Sequence, residues 1–148
     1  MADRVRVGFV CVENAGRSQI AEAVAETQLQ IRERDDIEIH SGGTDPADKL
    51  HPVVVDVMTE KGYDLSDQSP QKITRDELAR FDIVALMGCA LSVEDLPTGV
   101  VVRDWGFINP ARGTHEEVRA ISTEIEQRVI ELLDDLPTTE QRQATLNR

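Results

Sequence analysis

Residues Gly8–Ala23, GFVCVENAGRSQIAEA, place a cysteine, an arginine and a serine between an apolar run and a helical pattern. The run Val5–Val10 is apolar with little interruption, as in a parallel strand that is covered on both faces. From Ser18 onward, apolar residues recur with the period of a helix. A strand that leads directly into a helix predicts an α/β fold, with Cys11 at the carboxyl end of the first strand.

The rest of the chain continues this alternation. We predict three more strands, at 36–41, 82–87 and 99–103, and helices at 52–61, at 74–80 and from 115 to about 136. Gly42 and Gly43 are predicted to break the chain after the second strand. The pattern predicts a three-layer α/β fold, in which a four-stranded parallel sheet carries helices on both faces.

Domain organisation and site location follow from this pattern. Residues 1–137 are predicted to form a single domain, and 138–148 a polar C-terminal tail. Open parallel sheets bind their ligands at the carboxyl ends of the strands. We therefore expect the chemistry in the segments that follow the first, third and fourth strands.

The composition predicts an acidic, soluble protein. A net charge of −12 disfavours nucleic acid as a partner, because its phosphates carry the same sign. No apolar run approaches the ~20 residues that span a bilayer, so we expect no membrane partner and a cytoplasmic location. The only lysines are Lys49, Lys61 and Lys72. An acidic, lysine-poor surface suits a salt-rich cytoplasm, which predicts a halophilic protein, with an ordinary acidic protein as the alternative.

The turn after the first strand predicts a cysteine nucleophile in an anion-binding loop. Backbone N–H groups of a short turn that includes Gly16, together with a helix N-terminus, favour an anion and the thiolate of Cys11. Arg17 can hold two oxygens of a tetrahedral oxyanion, and Ser18 can donate a hydrogen bond to the sulfur. The alternative is that Cys11 is a small buried apolar residue at a strand end.

The predicted catalytic residues of this turn are thus Cys11, Arg17 and Ser18. Asn14 is expected to hold the shape of the turn, and Glu13 to point to solvent, because a carboxylate in the pocket would disfavour a thiolate. The three histidines show no metal spacing, so we expect no metal. The predicted oxyanion-binding residues are Val12, Glu13, Asn14, Ala15, Gly16 and Arg17.

Several segments resemble a known superfamily. VCVENAGRSQIAEA (10–23) looks like the signature loop of low-molecular-weight protein tyrosine phosphatases and of the arsenate reductases that share their fold. HPVVVDVM (51–58), MGC (87–89) and DWGF (104–107) look closer to the thiol-linked arsenate reductase branch. The resemblance covers nearly the whole chain up to the last helix, and it implies a four-stranded parallel sheet with flanking helices.

The resemblance also implies roles for residues outside the signature loop. The family's general acid is an aspartate just before a proline, and Asn109, which cannot donate a proton in its place, precedes Pro110 here. Thioredoxin-linked arsenate reductases use two cysteines besides the nucleophile. Cys89 matches the first of these as a resolving thiol, whereas Leu96 stands where the second would be.

Three functions are compatible with these residues. The first is thiol-dependent reduction of arsenate to arsenite, with Cys11 as nucleophile and Cys89 as resolving thiol. It requires no bound cofactor, but it requires an external thiol or a thioredoxin- or glutaredoxin-like protein as reductant. The alternative is a tyrosine phosphatase that acts on phosphotyrosine through a phosphocysteine. The third is a non-catalytic sensor of oxyanions such as phosphate.

Overall fold

A computed structural model describes residues 4–88, 93–106 and 113–136. Its strands form one four-stranded parallel sheet, as the sequence predicts, and their order in the sheet is β2-β1-β3-β4. The strands are β1 (Val5–Cys11), β2 (Ile37–Gly43), β3 (Ile83–Leu86) and β4 (Val101–Asp104). The predicted polar tail at 138–148 lies outside the described residues.

The helices also begin and end close to their predicted positions. They are α1 (Arg17–Ile31), α2 (Pro52–Glu60), α3 (Arg75–Ala79) and α4 (His115–Asp135). Thr74 caps α3 by accepting a hydrogen bond from the Glu77 backbone at 3.1 Å, which stabilises an otherwise unpaired N–H group. Within the described ranges, no helix is both long enough and apolar enough to cross a membrane.

The helices are divided unequally between the two faces of the sheet. Because successive side chains of a strand point to opposite faces, Phe9 packs on one face and Val10 on the other. The first face carries α1, α2 and α4, and the second carries α3 with the residues that flank it. The expected three layers are therefore present, with the larger core on the side of α1.

The predicted chain break at Gly42 and Gly43 is wrong. β2 continues through both residues, and Gly43 pairs with Cys11 at the end of β1. A Cβ atom on Gly43 would lie 2.4 Å from the carbonyl oxygen of Val12. Glycine is needed here because the strand passes directly against the turn after β1, and not because the chain reverses.

Tyr63 and Lys61 connect α2 to α4 through Glu126. The Lys61 ammonium pairs with one carboxylate oxygen of Glu126, and the Tyr63 hydroxyl donates to the other at 2.9 Å. Burial, and next the hydrogen bond to this carboxylate, raise the pKa of Tyr63 to about 12. Tyr63 thus packs against the core and also holds the two helices together through a hydrogen bond.

Candidate active site

The ends of β1, β3 and β4 meet at one edge of the sheet. β1 lies between β2 and β3, and the Met87 backbone N–H donates to the Val10 carbonyl at 2.8 Å. Arg17, the first residue of α1, donates from Nη1 to the carbonyl of Gly88 at 3.0 Å. The turn between β1 and α1 is therefore in contact with the segment that follows β3, as expected for a site at the carboxyl edge.

The turn from Cys11 to Gly16, called the loop below, is held from one side by residues 44–51, called the strap. Backbone N–H groups of the strap donate to the carbonyl oxygens of the loop at 2.8–3.1 Å. The Asn14 carbonyl accepts instead from the Gln19 side chain at 2.9 Å. The strap contacts are Thr44 to Cys11, Asp45 to Val12, Ala47 to Glu13 and His51 to Ala15.

These contacts determine where the N–H groups of the loop point. In a planar trans peptide the C=O and the following N–H point in opposite directions. With the carbonyls facing the strap and Gln19, the N–H groups of residues 12–16 face the other side. The Asn14 N–H lies 3.3 Å from the Cys11 sulfur, so this other side is the side of the thiol. The loop therefore forms a nest of donors around the sulfur, which suits an oxyanion.

Cys11 lies at the base of this nest and is 1% exposed. Its Sγ is 2.9 Å from the Ser18 hydroxyl, the contact that the sequence predicts. Ser18 lies in the first turn of α1, where the helix N-terminus adds partial positive charge. Donors and positive potential thus converge on the sulfur, an arrangement that suits a bound anion.

Asn14 holds the loop in shape, as expected. It adopts a left-handed backbone conformation with φ 49°, which asparagine tolerates better than most residues. Its side-chain Nδ2 donates to the Ser18 hydroxyl at 2.6 Å and to the Ser41 hydroxyl at 3.1 Å. Its Oδ1 accepts from the Gln71 backbone N–H at 3.0 Å. One buried side chain thus connects the loop to α1, to β2 and to the segment before α3.

Three polar residues that the sequence analysis did not single out belong to this site. Gln19 is 1% exposed and Ser41 is 2% exposed, and both contact Asn14. Gln71 contacts Asn14 through its backbone and the Ser41 carbonyl through its side chain. Only Gln19 carried a signal in the sequence, because it is a polar residue on the buried face of a predicted helix.

The expectation that Glu13 points to solvent is only partly correct. Its side chain is 35% exposed, and its Oε2 lies 3.9 Å from Nε2 of His51. The His51 backbone also bonds the loop at Ala15. Glu13 therefore faces the strap, on the side of the loop away from the nest.

Glu22 is connected to the site through Ser41, whose hydroxyl donates to its carboxylate at 2.9 Å. Burial raises the pKa of the Glu22 carboxyl above its ordinary value of 4.5, against the opposing effect of the Ser41 hydrogen bond, and the charge of Glu26 raises it further. The charged form is therefore less stable in the folded protein than in the unfolded chain.

Glu22→Gln is expected to stabilise the protein at pH 7 but not at pH 4. Near pH 4 the carboxyl is mostly neutral in both states, and the penalty grows as the pH rises above 4.5 until it is complete above the raised pKa. Glutamine keeps an oxygen that can accept from Ser41. Thermal unfolding at both pH values measures the effect, with the exposed Glu124→Gln as control. An equal gain at both pH values would contradict a titration of Glu22.

Two residues at the end of β4 have clear positions. Asp104, the last residue of the strand, is exposed. Trp105 packs on Phe9, with ring centroids 6.0 Å apart, and so anchors the end of β4 to the core. The predicted resolving thiol Cys89 and the predicted acid position Asn109 lie outside the described residues.

A family model and a named relative both match most of this chain. The family model for low molecular weight phosphotyrosine protein phosphatase matches residues 6–143. A putative arsenate reductase of Halobacterium salinarum is 49% identical over 131 residues, which are 88% of this chain and 92% of that protein. The source of this relative agrees with the acidic, lysine-poor composition and with a halophilic protein.

Solved structures match over most of the chain as well. A thioredoxin-dependent arsenate reductase of Corynebacterium glutamicum is 34% identical with a TM-score of 0.72, over 90% of this chain and 63% of that one. The match therefore spans less than two thirds of that protein. An arsenate reductase described in its phosphate-binding state is 27% identical with a TM-score of 0.75, over 90% of this chain and 99% of that one.

Proposed function

This chain belongs to the low molecular weight phosphotyrosine protein phosphatase family of cysteine-based enzymes, and we propose that it reduces arsenate to arsenite through the thiolate of Cys11. The observation that carries the proposal is the position of the Cys11 sulfur at the base of a nest of N–H groups, beside the Ser18 hydroxyl. The relative from Halobacterium salinarum, itself named a putative arsenate reductase, supports arsenate as the oxyanion.

The residues have distinct roles in this proposal. The N–H groups of residues 12–16 and the guanidinium of Arg17 bind the oxygens of arsenate. Ser18 donates to the sulfur and favours the thiolate. Arg17 is 4% exposed, so its guanidinium acts from a site largely shielded from water, where hydrogen bonds to charged oxygens are strong.

The reaction proceeds in two steps that balance in electrons. The Cys11 thiolate forms a bond to As(V), and one arsenate oxygen leaves as water after it takes up protons. The Cys89 thiolate then attacks the Cys11 sulfur and forms a disulfide. The electron pair of the S–As bond stays on arsenic, which leaves as As(III) in arsenite.

Cys89 is proposed as the resolving thiol because it follows Gly88 directly in the chain, and the Gly88 carbonyl accepts from Arg17 at 3.0 Å. The resulting disulfide must be reduced from outside. An external thiol or a thioredoxin- or glutaredoxin-like protein supplies the two electrons, in line with the thioredoxin-dependent relative.

A second candidate is hydrolysis of phosphate esters through a phosphocysteine at Cys11. The family match favours it, and the same nest fits phosphate. We propose that Asn109 replaces the general acid, so that esters with poor leaving groups react slowly. A positioned acid is worth about 10²–10⁴-fold in rate.

Arsenate reduction and aryl phosphate hydrolysis, measured in parallel, test the proposal. We expect arsenate turnover with dithiothreitol or thioredoxin in the wild type, and none in Cys11→Ser. Cys89→Ser is expected to lose arsenate turnover while keeping any residual hydrolysis, because only the resolving step needs this thiol. Hydrolysis without arsenate turnover in the wild type would favour the second candidate. Unchanged arsenate reduction in Cys89→Ser would refute its resolving role.

A further inference from the structure

A chain of side-chain hydrogen bonds leads from the Cys11 sulfur to the protein surface. Ser18 Oγ lies 2.9 Å from the sulfur, and Asn14 Nδ2 donates to Ser18 Oγ at 2.6 Å. Gln19 Nε2 donates to Asn14 Oδ1 at 3.0 Å, and Gln68 Nε2 donates to Gln19 Oε1 at 2.6 Å. We call this chain the amide relay, and we propose that Gln68 is a positioning residue which acts through it on the nucleophile.

Backbone groups fix the direction of every amide in the relay. Gln68 Nε2 also donates to the carbonyl oxygen of Gln19 at 3.1 Å, so this end of its amide must be the nitrogen. Gln19 Nε2 faces the carbonyl oxygens of Asn14 at 2.9 Å and Ser69 at 3.0 Å. A carbonyl can only accept, so neither amide can be turned around without placing oxygen against oxygen.

The Asn14 amide is fixed in the same way. Its Oδ1 accepts from the backbone N–H of Gln71 at 3.0 Å, a group that can only donate. Its nitrogen must therefore face Ser18. Since the Ser18 oxygen receives that hydrogen bond, the hydroxyl hydrogen is free to point at the Cys11 sulfur.

Each member of the relay thus donates toward the sulfur. Amides that donate in one direction polarise one another, so that each hydrogen bond strengthens the next. A donor at 2.9 Å stabilises a thiolate more than a neutral thiol. Gln68 is half-buried and lies at the outer end of the relay, four hydrogen bonds from the sulfur. It contributes to the orientation of the Gln19 amide.

The inference rests on the proposed role of Cys11 as nucleophile, but it is tested without arsenate. The rate of Cys11 alkylation by iodoacetamide is measured against pH in a Cys89→Ser background, so that only one thiol reacts. The charged side chains of the loop and of α1 next to it, Glu13, Arg17 and Glu22, are unchanged in every variant compared.

Gln68→Glu places a carboxylate against Gln19 Oε1 and its backbone carbonyl, which favours a reversed Gln19 amide and opposes the relay. We expect the pH of half-maximal alkylation to rise by an amount equal to about a fivefold change in the protonation equilibrium, the net worth of one hydrogen bond. Gln68→Met removes the donor without reversing the relay, so its shift should lie between Gln68→Glu and wild type. Ser66→Glu is the matched control: it adds the same charge at an exposed position two residues away, and should change the rate less than about twofold.

The pH profile separates positioning from loss of structure. The relay acts on protonation of the sulfur, so the half-maximal rate should move to higher pH while the plateau at high pH does not fall. Equal effects of Gln68→Glu and Ser66→Glu, or a wild-type profile in Gln68→Met, would overturn the relay. If Gln68→Glu does not fold, Gln68→Met decides alone. Absence of arsenate turnover in an enzyme whose alkylation profile shifts as expected would instead refute the proposed function.

Discussion

Arg17→Lys is expected to lower arsenate turnover by about 100-fold or more while weakening oxyanion binding much less. Removal of one preorganised donor to a transition state typically costs about 10²–10³ in rate. The guanidinium has five N–H donors in a planar arrangement, and one of its nitrogens already bonds the Gly88 carbonyl at 3.0 Å. Lysine keeps the charge, but it cannot hold this carbonyl and two substrate oxygens in one plane.

The measurement compares kcat for arsenate with the Kd for inorganic phosphate. Arg119→Lys serves as the control, because Arg119 is half-exposed and pairs with Glu60 on the surface. It should leave both quantities close to wild type. Equal losses of turnover and phosphate affinity in Arg17→Lys would mean that Arg17 acts only as a positive charge.

Gly43→Ala is expected to lower arsenate turnover by a similar factor, because it changes the shape of the loop. An added Cβ would lie 2.4 Å from the Val12 carbonyl oxygen and 2.9 Å from the Asn14 nitrogen, both backbone atoms of the loop. The loop must move away from the strand, and a displacement of about 1 Å in a catalytic group can cost about 10²-fold in rate. We expect phosphate affinity to fall together with turnover, because the nest itself is displaced.

Gly42→Ala is the matched control for this substitution. Its Cβ would lie 2.8 Å from Cβ of Ile73, on the face of the sheet that carries α3. Overpacking there should lower the melting temperature, at a cost of about 1–3 kcal/mol, without a selective loss of phosphate affinity. If both variants lose affinity in proportion to their loss of stability, Gly43 has no special relation to the loop.

The sequence was sufficient for the parts of the fold that depend on local pattern. The strand that ends at Cys11 and the helix that begins at Arg17 follow from hydrophobic period alone. Their junction is the loop, so the positions of Cys11 and Arg17 and the contact of Ser18 with the sulfur could be predicted together. The order of the strands also agrees with the general rules for parallel sheets.

What the sequence did not reveal depends on contacts between distant segments. Gln19 became a site residue because Gln68 and Ser69, about fifty positions later, pack against its side chain. The two glycines at the end of β2 suggest a break in the chain, whereas Gly43 lets the strand pass close to the loop and Gly42 lies against Ile73. A glycine that allows close packing and a glycine that allows a turn look the same until the neighbouring strand is known.

The central place of β1 in the sheet has a consequence for how the protein folds. β1 is completed by β2 on one side and by β3 on the other, and its contact between Arg6 and Asp82 spans 76 positions. Such long-range pairings close large loops of chain and form slowly. The loop depends on the strap that follows β2 and on Gln71 before β3, so the nest forms only after these distant segments have docked. If Cys11 acts as proposed, a nascent chain therefore carries only an ordinary free thiol, and its reactive form arises late in folding.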